Sequence, residues 1–98
     1  MYPAETESVL YEHPSVVEVA VIGLPDERWG EAVTAVVALK PDESLTLEEL
    51  RTFGAEKLAK YKLPSRLETV DALPRNPAGK VLKFELRQRF ADQDSPIS

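Results

Sequence analysis

Two apolar runs near the middle of the chain constrain its fold more than any other feature. Residues 16–22 read VVEVAVI and residues 32–39 read AVTAVVAL. Both runs are rich in β-branched side chains and nearly free of polar ones, which predicts strands buried on most of their surface. The connection between them, residues 23–31, contains the turn cluster Gly23–Asp26 and is longer than a tight two-residue hairpin, which favours an antiparallel pair with a longer connection.

Helical patterns surround this pair. Pro3 suits the first turn of an opening helix, which Pro14 ends near His13. Thr46 and Glu49 form a capping box, and an apolar stripe at helical spacing follows it, which predicts a second helix. Residues 67–70 predict a third strand. A second apolar stripe predicts a last amphipathic helix near the C-terminus. The stripes are Leu47, Leu50, Phe53, Leu58 and Tyr61, then Leu82, Leu86 and Phe90. We therefore predict an α+β fold, a small mixed sheet flanked by about three helices, over residues 2–91, with a polar tail at 92–98.

Size and composition exclude several function classes. A chain of 98 residues can bury one core but not two. Its net charge of -5 argues against general attraction to nucleic acid, and the absence of cysteine excludes disulfides and thiolate metal sites. His13 is the only histidine, and no apolar run approaches the ~20 residues that a membrane span needs. We expect a cytoplasmic protein with no transmembrane segment and no nucleic-acid partner.

The loop at residues 73–80 (LPRNPAGK) is the first candidate for chemistry. Two prolines and a glycine restrict its backbone and leave Lys80 at its end, just before a helix. A loop of fixed shape is a suitable mount for a charge that must reach a reacting group. From spacing alone, a solvated lysine at the end of an ordinary loop is the commoner interpretation.

Two further segments carry aromatic residues beside charges. Tyr61 lies between Lys60 and Lys62 at the end of the predicted second helix, where cations also suit the helix dipole. Trp29 lies in the connection between the predicted strands, where it could equally fill the edge of the core. The functional alternative for both is a nucleotide site, in which aromatic rings stack on a base and cations face phosphates.

Taken in order, four motifs resemble the C-terminal domain of the adenylate-forming ligases. They are Tyr2-Pro3-Ala4-Glu5 followed by Glu7, Gly23-Leu24-Pro25-Asp26 with Trp29-Gly30-Glu31, Tyr61-Lys62-Leu63-Pro64, and Pro74-Arg75-Asn76 with Gly79-Lys80. This superfamily includes acyl-CoA synthetases, nonribosomal-peptide adenylation domains and beetle luciferase. The chain is most similar to fatty-acyl and medium-chain acyl-CoA ligases.

The resemblance implies a two-step reaction in which ATP and a carboxylate give an acyl-adenylate, and CoA then displaces AMP. Lys80 is the implied adenylation lysine, with Asn76 and Gly79 positioning its loop. The implied contacts to the CoA adenine are the rings of Trp29 and Tyr61. Positions that are basic in some relatives and contact the CoA phosphates are occupied here by Leu63 and Ser65, so Lys62 and Arg66 are the expected substitutes.

The resemblance also implies a partner, the large N-terminal domain of the same enzyme. That domain is absent from this chain and is expected to hold most of the ATP, acyl and Mg²⁺ contacts, so the fragment alone is expected to be inactive. Two alternatives stay open: the small subdomain of a nonribosomal-peptide adenylation domain, which uses a carrier-protein thiol, and a stand-alone binding module without chemistry.

Overall fold

The computed structural model describes residues 3–26 and 30–93, and within them it confirms the predicted α+β fold. A three-stranded sheet carries helices on both faces. The elements in chain order are α1 (Pro3–Tyr11), β1 (Val16–Asp26), β2 (Gly30–Leu39), α2 (Leu47–Gly54), a short 3-10 turn (Lys60–Lys62), β3 (Arg66–Thr69) and α3 (Lys83–Gln93).

The sheet is mixed, as predicted, with strand order β1-β2-β3. β1 and β2 are antiparallel, and their register runs from Val16 opposite Leu39 to Asp26 opposite Gly30. β2 and β3 are parallel. Parallel neighbours need a long crossover, and the segment with α2 and the 3-10 turn supplies it.

The prediction of a turn at residues 23–26 was wrong. Gly23 to Asp26 continue β1, paired one by one with residues 33 to 30 of β2. Gly and Pro are typical of turns, but here the antiparallel pairing that begins in the apolar runs continues through this segment. Pro25, which has no N–H to donate, lies on β1, an outer strand of the sheet.

Two apolar clusters lie on opposite faces of the sheet, because successive strand residues point to opposite sides. The side that carries Ala20 and Ile22 packs against α3 and the chain that precedes it. The side that carries Val21 packs against α1 and α2. The first cluster is Ala20, Ile22, Leu24, Val36, Leu73, Leu86 and Phe90; the second is Leu10, Val16, Val21, Ala35, Val37 and Leu50.

The second helix is shorter than predicted and ends at Gly54, so Leu58 and Tyr61 do not continue its stripe. Gly54 is buried against two leucines: a Cβ there would lie 2.9 Å from Leu63 Cδ2 and 3.3 Å from Leu10 Cδ2. A side chain there would require the methyl groups of these leucines to shift, and glycine is also a poor helix former. The chain turns after it, and Leu58 is buried while Tyr61 points to solvent.

The predicted start of α2 is confirmed. Thr46 Oγ1 accepts from the N–H of Glu49 at 3.1 Å, and the N–H of Thr46 donates to Glu49 Oε1 at 2.9 Å. These contacts hold the pKa of Glu49 below its usual value. The larger cause is the hydrogen bond from the Thr46 N–H, and the smaller is the hydrogen bond with the Thr46 hydroxyl.

The last helix continues through Gln93, past the predicted domain end at residue 91. Within the described ranges, none of the helices is long and apolar enough to cross a bilayer.

Candidate functional site

The segment between β3 and α3 folds back on itself and forms a closed loop. Arg75 and Val81 make an antiparallel bridge, and the N–H of Leu82 donates to Pro74 O at 2.8 Å. Inside this bridge, the N–H of Asn76 donates to Lys80 O at 3.0 Å. We call residues 74–82 the lysine loop.

Asn76 organises the interior of the lysine loop. Its Oδ1 accepts from the N–H of Ala78 at 3.0 Å and from the N–H of Lys80 at 2.9 Å. Its carbonyl accepts from the N–H of Gly79 at 2.8 Å. Gly79 has φ +87°, which an L side chain adopts only with strain. The structure thus brings together Asn76, Gly79 and Lys80, and it bonds the backbone of Lys80 on both sides.

The side chain of Lys80 is exposed. Among residues 3–26 and 30–93, no acid forms an ion pair with its ammonium. Lys80 borders a shallow recess that it shares with Asn76, Lys83, Phe84 and Arg87. Lys80, Lys83 and Arg87 are cationic, and Phe84 is half exposed. The recess therefore suits an anion that arrives from outside the chain.

A carboxylate that the sequence analysis did not single out anchors the lysine loop. Glu18 Oε1 accepts from Arg75 Nε at 3.0 Å, and Arg75 Nη1 donates to Gly79 O at 2.7 Å. Glu18 Oε2 accepts from the N–H of Leu73 at 3.4 Å. One signal could have found Glu18: it is the sole charge in the run VVEVAVI, and a charge within a buried strand needs a partner.

Glu7 on α1 belongs to the first motif of the sequence, but its contacts were not predicted. Glu7 Oε2 accepts from the N–H of Val21 at 2.7 Å and from Lys83 Nζ at 2.7 Å. Because α1 and α3 cover opposite faces of the sheet, the Glu7–Lys83 pair passes around β1 and joins the two layers. Lys83 begins α3, directly after the lysine loop.

The predicted CoA residues lie in a different part of the domain. Tyr61 is 71% exposed in the 3-10 turn. Lys62 Nζ lies 5.6 Å from the centroid of its ring, within cation–π range. The same ammonium pairs with Glu5 Oε2 at 2.8 Å, and Thr6 Oγ1 donates to Lys62 O at 3.1 Å.

Arg66 also has an acidic partner. It begins β3, and its Nη2 lies 2.6 Å from Glu68 Oε2, with both side chains about a quarter exposed. Trp29 lies outside the described residues, so its predicted role stays a prediction. In the part of the chain that the structure describes, no three His, Cys, Asp or Glu side chains group so that they could hold a metal ion.

Comparison with known proteins gives a consistent result. A family model described as AMP-binding enzyme C-terminal domain matches residues 5–80. A fatty acid–[acyl-carrier-protein] ligase of Streptomyces coeruleorubidus is 52% identical over 90 residues, which are 92% of this chain and 17% of that protein. A long-chain-fatty-acid–CoA ligase of Mycobacterium tuberculosis is 46% identical over 91 residues, 93% of this chain and 18% of that protein.

Solved structures agree with these relatives. A fatty acyl CoA synthetase of Mycobacterium tuberculosis superposes with a TM-score of 0.87 at 46% identity, over 94% of this chain and 18% of that one. ATP-bound MatB of Rhodopseudomonas palustris gives a TM-score of 0.88 at 40% identity, over 97% of this chain and 19% of that one. The chain thus spans less than a fifth of the length of each of these relatives.

Proposed function

The chain belongs to the family of AMP-binding enzyme C-terminal domains, and from this premise we propose that it is the lid of an ATP-dependent acyl-CoA ligase. The proposed reaction converts a fatty acid, ATP and CoA into acyl-CoA, AMP and pyrophosphate. The observation that carries the proposal is Lys80, an exposed ammonium on a loop whose backbone is bonded on both sides of it.

Lys80 is proposed to act in the first half-reaction. A fatty-acid carboxylate and the α-phosphate of ATP are both anions, so they repel each other as they approach. A fixed cation between them lowers the cost of contact and stabilises the charge that develops on phosphorus. A lysine suits this role because its ammonium is a compact charge with rotatable donors.

The lysine loop would supply the preorganisation that such a cation needs. Asn76 Oδ1 bonds the N–H of Lys80, and Gly79 allows the left-handed turn just before it. Neither contact uses the ammonium, which therefore stays available to substrates held by a large partner domain. Mg²⁺, ATP and the acyl chain belong to that domain in this proposal, and the described residues contribute no metal ligands to the mechanism.

The exposed ring of Tyr61 is proposed to serve the second half-reaction by stacking on the adenine of CoA, together with Trp29. Lys62 and Arg66 are proposed to face the CoA phosphates. Each would exchange an acidic neighbour, Glu5 or Glu68, for a phosphate. The cytoplasm, where ATP and CoA are available, is the proposed location.

A second candidate differs only in the thiol acceptor. The Streptomyces relative at 52% identity is a ligase for acyl carrier protein, so a carrier-protein thiol could replace CoA while the adenylation step stays the same. An assay with CoA and a carrier protein supplied in parallel separates the two: thioester formed only on the carrier protein would reject the CoA ligase.

The test of the proposal uses the full-length enzyme, meaning the polypeptide in which this chain follows its large domain. Pyrophosphate release is followed with ATP and a panel of fatty acids. Lys80→Ala should lower acyl-adenylate formation by about 10²–10³-fold, as expected for one preorganised electrostatic contact. Thioester formation from supplied acyl-adenylate should change far less. Equal losses in both half-reactions would reject the proposed role of Lys80.

A further inference from the structure

Lys80 lies between two tethered cations. Arg75 precedes it at the start of the lysine loop and pairs with Glu18 of β1. Lys83 follows it at the start of α3 and pairs with Glu7 of α1. The side chains next to Lys80 in the fold are therefore anchored to the sheet, whereas Lys80 itself has no acidic partner in the described ranges.

The first tether runs from Glu18 through Arg75. The carboxylate of Glu18 receives Nε of Arg75 at 3.0 Å, and the same guanidinium donates through Nη1 to Gly79 O at 2.7 Å. Gly79 O belongs to the peptide bond that joins Gly79 to Lys80. Arg75 thus connects a strand of the sheet to the peptide unit from which Lys80 extends, and the planar guanidinium fork can make both bonds at once.

The second tether runs from Glu7 through Lys83. One oxygen of Glu7 accepts from the N–H of Val21 on β1 and from Lys83 Nζ, both at 2.7 Å. The backbone bond fixes the carboxylate relative to the strand, and the ion pair fixes the first residue of α3 relative to the carboxylate. The chain on the far side of Lys80 is therefore held as well.

We propose that Glu18, acting through Arg75, and Glu7, acting through Lys83, are positioning residues that hold the backbone of Lys80 in place for adenylation. This inference rests on the proposed function of Lys80. A flexible lysine side chain can deliver its charge to one point only if its Cα is fixed. Misplacement of a reacting group by about 1 Å can cost about 10²-fold in rate.

The experiment measures both half-reactions of the full-length enzyme for Glu18→Ala, Glu18→Gln and Glu7→Ala. Adenylation kcat should fall about tenfold in each alanine variant, part of the ~10²-fold range for misplacement, with the KM for ATP nearly unchanged. Glu18→Gln keeps a hydrogen-bond acceptor but not the charge, so its adenylation kcat should lie between those of the wild type and Glu18→Ala. Glu12→Ala is the matched control, since it removes an exposed ion pair with Lys57 away from the loop, and it should leave adenylation unchanged.

Combination with Lys80→Ala separates positioning from general damage. If Glu18 and Glu7 act through Lys80, their substitution should lower adenylation no further once Lys80 is gone. If substitution of Glu18 or Glu7 still lowers adenylation about tenfold in the Lys80→Ala variant, the inference is overturned. If Lys80→Ala alone leaves adenylation intact, the proposed function fails instead. If only Lys80→Ala lowers adenylation, the positioning role fails and the function stands.

A second variant and a second measurement guard against misfolding. Arg75→Lys keeps the charge but replaces the rigid guanidinium fork, which bonds Glu18 and Gly79 O, with a single flexible ammonium, so it should reproduce the tenfold loss. In the 98-residue chain, amide hydrogen exchange should become faster at Ala78 and Lys80 in Glu18→Ala and Arg75→Lys, while Val36 in the core stays protected. Unchanged exchange at Ala78 and Lys80 would overturn the inference.

Discussion

The lysine loop and the segment at residues 60–66 both carry cations predicted to meet anionic substrates, yet their bonds are arranged in opposite ways. In the lysine loop, polar side chains bond the backbone of Lys80, and its ammonium meets no acid among the described residues. In the 60–66 segment, the cationic groups of Lys62 and Arg66 are themselves paired with acids. The ammonium of Lys80 can therefore meet a substrate anion without first leaving an acid. Lys62 and Arg66 would each have to exchange an acidic partner for a substrate phosphate.

Helix α1 separates these two regions. Glu5 pairs with Lys62 and Glu7 pairs with Lys83. Residues two apart on a helix do not face each other, so the two carboxylates serve different sides of α1.

The largest effect in this comparison is expected from Asn76→Ala. It removes the acceptor of two backbone N–H groups, those of Ala78 and Lys80, and should lower adenylation by up to about 10²-fold through misplacement of Lys80. The control is Thr46→Ala, which removes a capping acceptor from α2 and should cost about 1 kcal/mol of stability without changing adenylation. Similar adenylation rates in the two variants would contradict the role of Asn76.

Tyr61→Ala tests the other side of the comparison. Loss of one stacked base costs about 1–3 kcal/mol, so the KM for CoA should rise at least about fivefold while adenylation is unchanged. Tyr11→Ala is the control, since Tyr11 is 59% exposed at the end of α1 and has no proposed ligand. An unchanged KM for CoA in Tyr61→Ala would remove this residue from the CoA surface.

Gly79→Ala and Gly30→Ala form a matched pair. Both glycines have positive φ, +87° and +82°, and a Cβ at either would meet nothing within 4 Å. Each substitution should therefore lower the free energy of unfolding by about 1–2 kcal/mol from backbone strain alone, measured by urea unfolding. Adenylation should fall several-fold only for Gly79→Ala. Equal adenylation losses would mean that stability, not loop geometry, is responsible.

The smallest effect is expected from Glu5→Gln. If Lys62 faces a CoA phosphate, releasing it from Glu5 should lower the KM for CoA by up to about fivefold, because an ion pair at the protein surface contributes about 0.2–1 kcal/mol. Glu12→Gln, which releases Lys57 in the same way, should have no such effect. A higher KM for CoA in Glu5→Gln would argue that Glu5 holds Lys62 in its working position.

Much of the fold was predictable because its signals are local. The apolar runs specified β1 and β2, and Thr46 with Glu49 specified the start of α2. The errors occurred where long-range packing prevails. Gly54, the last residue of α2, packs against Leu10 and Leu63, and Gly23 to Asp26 stay in β1 because β2 pairs with them.

The candidate site divides in the same way. Motif spacing identified Asn76, Gly79 and Lys80, which lie within one loop. Motif spacing did not identify Glu18, because its partner Arg75 is brought to it only by the packing of Leu73 and α3 on the sheet. Nor could spacing indicate that Lys62 is ion-paired, since its partner Glu5 is distant in sequence.

The bond from Val21 to Glu7 has a consequence beyond the loop that it steadies. β1 lies at the outside of the sheet, and outer strands with unpaired N–H groups are templates for strands of other molecules. The carboxylate of Glu7 occupies the N–H of Val21, and α1 lies against the strand there. That N–H is therefore not available to pair with a strand of another molecule.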